Sequence, residues 1–174
     1  TIVYCPRGRE KDVVTTGVTA IGKNAFRNCN KIKSVTITGT VKNIGFDAFV
    51  CDTGHPSALT QLVFDSNRDD EELTIEGRAF YKAVVLTEVT LPENLVKIEK
   101  YAFGFTKALK SVTINAMGKY SNGKYVAEFD NDVFASETDY VPDYYVENLT
   151  IGKDVPIFGI TAVFGTSLSN ITID

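Results

Sequence analysis

The acidic stretch "DSNRDDEELTIE" is the part of the chain whose residue types and spacing come closest to a metal site. Asp65, Asn67, Asp69 and Glu76 stand at relative positions 1, 3, 5 and 12, where a calcium-binding loop carries its oxygen ligands. Position 6 of such a loop needs glycine for a sharp turn, and here it holds Asp70. The stretch therefore predicts either a weak calcium site or, as the simpler interpretation, a solvated acidic loop.

Histidine and cysteine, the other residues with metal or nucleophilic chemistry, are few. His55 is the one histidine, in the turn-like stretch "TGHPS", and favours a loop residue over a ligand. Cys5, Cys29 and Cys51 are odd in number and form no CxxC pair, which indicates buried structural thiols. Common hydrolase, metalloprotease and nucleotide-binding motifs are absent from the sequence. We therefore expect no enzymatic activity and no cofactor.

Two tyrosine-rich stretches have the composition of binding loops. "NAMGKYSNGKY" carries Tyr120 and Tyr125, and "ASETDYVPDYYVE" carries Tyr140, Tyr144 and Tyr145. Tyrosine among Ser, Gly and Asn offers large contact area at low entropy cost, so these five residues are candidate partner contacts. The alternative is that the rings cover the last, less regular part of the fold.

Composition sets the class of protein. The chain has 174 residues, 44% hydrophobic and 23% charged, which suits one globular domain with a real core. Its net charge of −4 argues against nucleic-acid binding, which normally needs a basic surface. The sequence has no apolar run of about 18 residues, so we expect no membrane insertion by this stretch.

The dominant feature is an internal repeat. "IGKNAFRNC", "IGFDAFVC", "IEGRAFY" and "IEKYAFG" are nearly the same phrase, and two weaker copies follow. Ala25 and Ala48 are 23 residues apart, as are Ala79 and Ala102. The intervening gap from Ala48 to Ala79 is 31 residues, and the extra residues fall between apolar anchors. This spacing is typical of a stacked solenoid, in which insertions lengthen loops without disturbing the coils.

Each repeat predicts two local structures. "LKSVTI" alternates in the manner of a half-buried strand. "GKNAFRNC" places Ala25, Phe26 and Cys29 where one inward-facing helical turn would carry them. If the valine and isoleucine of each strand point inward, its middle residues point outward. These outward positions are Thr36, Val63, Thr90, Thr113, Thr150 and Thr172, flanked by Ser34, Gln61, Glu88, Ser111, Asn148 and Asn170. Thr36, Thr90, Thr113 and Thr150 are thus a second set of candidate partner contacts, although β-propensity also explains the threonines.

The repeats resemble leucine-rich repeats of the BspA-like type. The resemblance is carried by "VTAIGKNAFRNCNKIKSVTI", "VKNIGFDAFVC" and "LTEVTLPENLVKIEKYAFGFTKALKSVTI". It departs from the pattern at Glu76 and Glu99, which replace the motif glycine. It implies one α/β domain over residues 1–174: a leucine-rich-repeat solenoid forming a β-rich right-handed superhelix, with stacked parallel strands and short helical turns. Residues 1–17 would be an opening segment, and 18–174 would hold about six repeats.

The resemblance also implies a function. Proteins of this type look like surface or secreted proteins of host-associated bacteria and some protists, without catalytic residues to carry over. The expectation is a monomeric, non-enzymatic protein-interaction or adhesion module at a cell surface or in secretion, whose partner is an extracellular protein or glycoprotein. Two alternatives stay open: a structural spacer that displays neighbouring domains, and a carbohydrate-binding module that uses the tyrosine loops.

Overall fold

The computed structural model describes residues 1–2, 4–5, 10–52, 54–67, 69–135, 145–153, 155 and 168–173. Within these ranges the strands are β1 (Val13–Val14), β2 (Ala20–Ile21), β3 (Ser34–Thr38), β4 (Asn43–Ile44), β5 (Gln61–Asp65), β6 (Leu73–Ile75), β7 (Glu88–Leu91), β8 (Leu95–Ile98), β9 (Ser111–Ile114), β10 (Lys119–Ser121), β11 (Lys124–Val126), β12 (Glu128–Phe129), β13 (Asn148–Ile151) and β14 (Asn170–Ile173). All but β10 and β11 pair in parallel.

From β1 to β12, successive coils contribute one strand to each of two sides of a solenoid. We call β1, β3, β5, β7, β9, β13 and β14 the front strands, and β2, β4, β6, β8 and β12 the back strands. The chain runs from a front strand through a connection to a back strand, then through the segment around the Ala-Phe pair, here called the Ala-Phe turn. The solenoid and its strands of Val-x-Ile type are therefore as the sequence predicts.

The front side is interrupted once. β1, β3 and β5 form one sheet, and β7, β9, β13 and β14 form another. β5 and β7 lie next to each other without a hydrogen-bonded ladder. The five back strands form one continuous sheet, so this side carries the backbone pairing across the interruption.

The predicted short helical turns are wrong for the described residues, which contain no helix. The residue before each Ala-Phe pair is left-handed, with φ of 58° at Asn24, 55° at Asp47, 59° at Arg78 and 60° at Tyr101. A left-handed residue at this point ends any right-handed helix. The Phe26 N–H therefore donates to the carbonyl of Ala48 in the next coil, at 2.8 Å, and not back along its own chain. The Ala-Phe turns consequently form a third hydrogen-bonded side of the solenoid.

Phenylalanine rings fill the core between the coils. Successive rings are stacked, with centroid separations of 4.7 Å for Phe26–Phe49, 5.0 Å for Phe49–Phe80, 5.1 Å for Phe80–Phe103 and 5.6 Å for Phe103–Phe134. The alanines that precede the first four rings are also buried, which lets the coils approach closely. The sixth copy of the phrase, at Phe164, lies outside the described residues.

The three cysteines are buried, which confirms the structural-thiol interpretation. Burial raises the pKa of the Cys51 thiol, so its thiolate forms only at higher pH than usual. We expect a disulfide reagent such as Ellman's reagent to react slowly with the folded protein at about pH 8 and fully in denaturant. Three fast-reacting thiols in the native protein would contradict the burial.

Candidate binding surfaces

The front strands present a flat polar strip. Thr90, Thr113 and Thr150 lie directly opposite one another on β7, β9 and β13, and Thr36 faces Val63 across β3 and β5. The inward neighbours on the same strands, including Val89 and Leu91 of β7, are buried, except Phe64 of β5, which is half-buried. The threonines therefore stand on the outer face, as expected, but this placement does not test whether they bind a partner. Beside them, the Asn170 side chain donates to that of Asn148 at 2.7 Å.

A cavity of about 230 Å³ lies where β5 and β7 fail to pair. Gln61 and Val63 line it from β5, and Glu88 and Thr90 line it from β7. Val63 is 38% exposed, and Val14 of β1, which lies opposite Thr36, is 60% exposed. The cavity itself adds little apolar contact area.

The first tyrosine-rich stretch forms a β-hairpin that the sequence analysis did not predict. β10 and β11 pair antiparallel, with Tyr120 opposite Tyr125. The turn residues Asn122 and Gly123 have φ of 52° and 82°, the two positive values that a type I′ hairpin turn requires. Gly118 has φ of 74°, and a Cβ there would lie 2.0 Å from the carbonyl carbon of Val126. The hairpin therefore depends on glycine at its base as well as at its tip.

The two hairpin tyrosines stand beside a groove lined with carboxylates. Their ring centroids are 5.0 Å apart, and Tyr120 is 61% exposed. The groove has a volume of about 210 Å³. Its charged lining comes from the front-to-back connections of different coils: Asp69, Asp70, Glu72, Glu93 and Lys119. We call this feature the tyrosine–carboxylate groove; its four carboxylates outnumber its one lysine, which pairs with Glu72 at 3.2 Å.

The candidate calcium ligands are not brought together. Both oxygens of Glu76 are engaged elsewhere, accepting from the Asn43 side chain at 2.9 Å and the Phe46 N–H at 2.7 Å. Asn67 instead caps its own loop, its side chain accepting from the Asp69 N–H at 3.1 Å. Within the described ranges, no three His, Cys, Asp or Glu side chains lie close enough to hold a metal ion. The simpler interpretation, a solvated acidic loop, fits these contacts.

The remaining candidates are placed as follows. Tyr145 is half-buried next to β13, whereas Tyr140 and Tyr144 lie outside the described residues. His55 is exposed in a turn, and its N–H donates to the carbonyl of Asp52. In the part of the chain that the structure describes, no helix is long and apolar enough to cross a membrane.

The Ala-Phe turns also carry an ion network that the sequence analysis did not predict. The Asp47 carboxylate accepts from Arg27 at 2.6 Å and from Arg78 at 2.9 Å, although these residues belong to three different coils. Arg27 reaches on to Asp52 at 2.7 Å. The Asn28 amide, which donates to Asp52, and the Arg27 charge lower the pKa of the Asp52 carboxyl. The sequence indicates this network only through Asp47, a carboxylate at the left-handed position that Asn24 occupies in the preceding coil.

The fold and its repeat define the class of protein, a leucine-rich-repeat solenoid built of parallel strands. The pattern described as the BspA type leucine rich repeat region matches this chain in six copies, over residues 10–140 and 57–174. The chain belongs to this family. A search of curated proteins finds no match.

One solved structure supports the fold. The crystal structure of a leucine-rich repeat protein from T. pallidum superposes with a TM-score of 0.57 at 18% sequence identity. The match covers 89% of this chain and 63% of that one, so this chain spans less than two thirds of the length of its structural neighbour. The likeness extends to the fold, and the family membership indicates a protein-interaction module.

Proposed function

We propose that this chain is a monomeric, non-enzymatic protein-binding module of a cell-surface or secreted protein, with an adhesive role. Its partner would be an extracellular protein or glycoprotein. The observation that carries the proposal is the pair of the exposed Tyr120 and the half-buried Tyr125, held by a hairpin beside four carboxylates. Tyrosine is enriched at the energetic centres of protein interfaces.

The tyrosine–carboxylate groove favours a basic segment of the partner. Asp69, Asp70, Glu72 and Glu93 present excess negative charge, which attracts lysine or arginine, and the tyrosine rings add apolar contact and a surface for cations. The type I′ turn fixes the hairpin before binding, so little ordering entropy is lost when the partner docks. The front threonine strip is a weaker candidate because its outward side chains are small.

The test is saturable binding to immobilised extracellular-matrix and serum glycoproteins. We expect Tyr120→Ala to weaken binding about tenfold or more, because truncating a central interface tyrosine typically costs about 2 kcal/mol. Tyr4→Ala is the matched control, since Tyr4 is 69% exposed and belongs to the opening segment. Raising the salt concentration should weaken wild-type binding further.

Three other outcomes would count against this site. If Tyr120→Ala and Tyr4→Ala weaken binding equally, the groove is not the binding surface. Binding that survives Tyr120→Ala but is lost in Thr90→Arg would move recognition to the front strip. An absence of saturable binding across the panel would favour the structural spacer.

A further inference from the structure

The Ala-Phe turns carry a continuous row of cations and aromatic rings. It begins at Lys23, whose ammonium lies 5.2 Å from the Phe46 ring centroid, and continues through Arg78 at 5.8 Å from the same ring. Arg78 also lies 4.5 Å from the ring of Tyr81, which Lys82 approaches at 5.4 Å. The row therefore crosses from the first coil to the third through contacts between neighbours.

The row extends into the fourth coil. Lys82 lies 5.7 Å from the Phe105 ring, and Lys107 lies 4.5 Å from the same ring. We define the cation–aromatic patch as Lys23, Phe46, Arg78, Lys82, Phe105 and Lys107. Contacts of this kind hold flexible lysine side chains against flat rings and so limit the entropy that they lose on binding a ligand.

The three lysines of the patch form no direct ion pair among the described residues. Arg78 is balanced within the network that Arg27, Asp47 and Asp52 complete. Lys23, Lys82 and Lys107, in contrast, have no described carboxylate within ion-pair distance, whereas Lys42, Lys97 and Lys110 each have one. Lys82 also lowers the pKa of the Asp52 carboxyl, so Lys23 and Lys107 supply most of the excess positive charge of this row. They make this side of the molecule attractive to anions.

An open depression adjoins the patch. It has a volume of about 290 Å³ and is lined by Phe46, Gly77, Arg78, Glu99, Lys100, Tyr101 and Asp130. Gly77 stands where the neighbouring coils carry Phe46 and Lys100, so the third coil contributes no side chain at this point. The result is a notch bordered by the rings of Phe46 and Tyr101. Lys100 pairs with Asp132 at 3.2 Å beside the notch, and the side chains of Tyr101 and Asp132 raise its pKa.

We propose that the cation–aromatic patch binds a linear anionic polysaccharide, sulfated or rich in uronate. Its cations come from the first, third and fourth coils, which suits a linear polymer that lies across the coils and presents an anionic group at each of them. A sugar ring presents apolar C–H groups to an aromatic ring, and the notch between Phe46 and Tyr101 is open enough to admit one. An acidic peptide would find no enclosed apolar pocket for an anchoring side chain among these residues.

This surface is separate in the chain from the tyrosine–carboxylate groove. The patch lies on segments that follow back strands, and the groove lies on segments that follow front strands. The two surfaces also have opposite charge. The polysaccharide proposal therefore does not depend on the proposed protein-binding function.

The test measures the dissociation constant for a heparin oligosaccharide of defined length, as the sulfated probe, over a range of salt concentrations. We expect saturable binding that weakens as salt rises, because neutralising a polyanion releases its condensed counterions. The variant Lys23→Gln/Lys82→Gln/Lys107→Gln should bind at least about tenfold more weakly. The control Lys11→Gln/Lys42→Gln/Lys153→Gln removes the same charge elsewhere and should stay within about twofold of wild type.

Each remaining outcome would overturn the proposal. Equal weakening in the two triple variants would show that net charge alone attracts the probe. Poly-glutamate binding as tightly as heparin would assign the patch to acidic proteins. No saturable heparin binding at low salt would remove the site. Thermal melts of both triple variants check that they are folded, which we expect because Lys23 and Lys107 are exposed and Lys82 is only half-buried.

Discussion

Replacing Phe103 with alanine is expected to lower the free energy of unfolding by about 3–5 kcal/mol. Phe103 is fully buried and lies between two other stacked rings, Phe80 and Phe134. Alanine would remove the apolar surface of the ring and leave a cavity that its neighbours cannot fill without breaking the hydrogen bonds between Ala-Phe turns. A solenoid coil is stable only through the coils on either side, so a cavity between coils weakens both interfaces.

Chemical denaturation measures the effect, with the slope of the transition checking that unfolding stays cooperative. Phe46→Ala is the matched control: Phe46 is 36% exposed, and its loss should cost about 1 kcal/mol or less. Phe26 contacts a single stacked ring among the described residues, so Phe26→Ala should cost less than Phe103→Ala. A loss below about 1 kcal/mol for Phe103→Ala would contradict the stacked core.

The repeated phrase was sufficient to predict the stacked core and the front strands. Ala25, Phe26 and Ile37 recur with the spacing of a coil, and each is buried. The conformation of the Ala-Phe turns was not predictable in the same way. Asn24 and Asp47 favour the left-handed region, but Arg78 and Tyr101 adopt it without any such preference. Hydrogen bonds to the next coil fix these residues, and a local pattern contains no signal for them.

The structure explains why Glu76 and Glu99 replace the glycine of the repeat motif. The Glu76 carboxylate accepts from the Phe46 N–H, and that of Glu99 accepts from the Gly77 N–H at 3.0 Å. Each glutamate thus satisfies a backbone donor of the preceding coil. In the sequence these residues are substitutions of a motif glycine, and nothing local indicates which donor they reach.

The sequence contains a local signal for one part of the candidate binding surfaces, the hairpin, but not for the rest. The Asn122-Gly123 pair is a strong hairpin signal, and a two-residue turn at this pair places Tyr120 opposite Tyr125. The carboxylates beside them come from loops of different coils, so their meeting depends on the stacking register. The same holds for the cation–aromatic patch, where Lys23 and Lys107 are far apart in sequence. Solenoid surfaces of this kind become visible only when the coils are aligned in space.

Replacing Asp47 with alanine is the second substitution with a large expected effect, about 3 kcal/mol of unfolding free energy. The Asp47 carboxylate is 9% exposed and joins Arg27 of one coil to Arg78 of another. Its removal leaves two guanidinium groups without their shared partner, one of them facing Asp52 alone. The arginines are 35% and 27% exposed, so water offsets part of the loss and the effect stays at the lower end for a buried ion pair.

The backbone at Asp47 adds to the cost of alanine. Its φ of 55° is left-handed, and a residue with a Cβ but no short polar side chain is strained there by about 1–2 kcal/mol. Asp47→Asn separates the two contributions because asparagine tolerates this conformation and keeps one oxygen acceptor but has no charge. We expect asparagine to cost about 2 kcal/mol, the contribution of hydrogen bonds to charged groups.

Denaturant titrations at low and high salt would measure both variants. The comparison is Lys42→Ala, which breaks the exposed Lys42–Glu71 pair at 2.9 Å and should cost less than about 1 kcal/mol, most of it lost in salt. The Asp47 effect should persist in salt because the carboxylate is shielded from solvent. If Asp47→Ala were no more costly than Lys42→Ala, the network would be a surface feature. A large, salt-resistant loss would instead make Asp47 the residue that holds the first three coils in register.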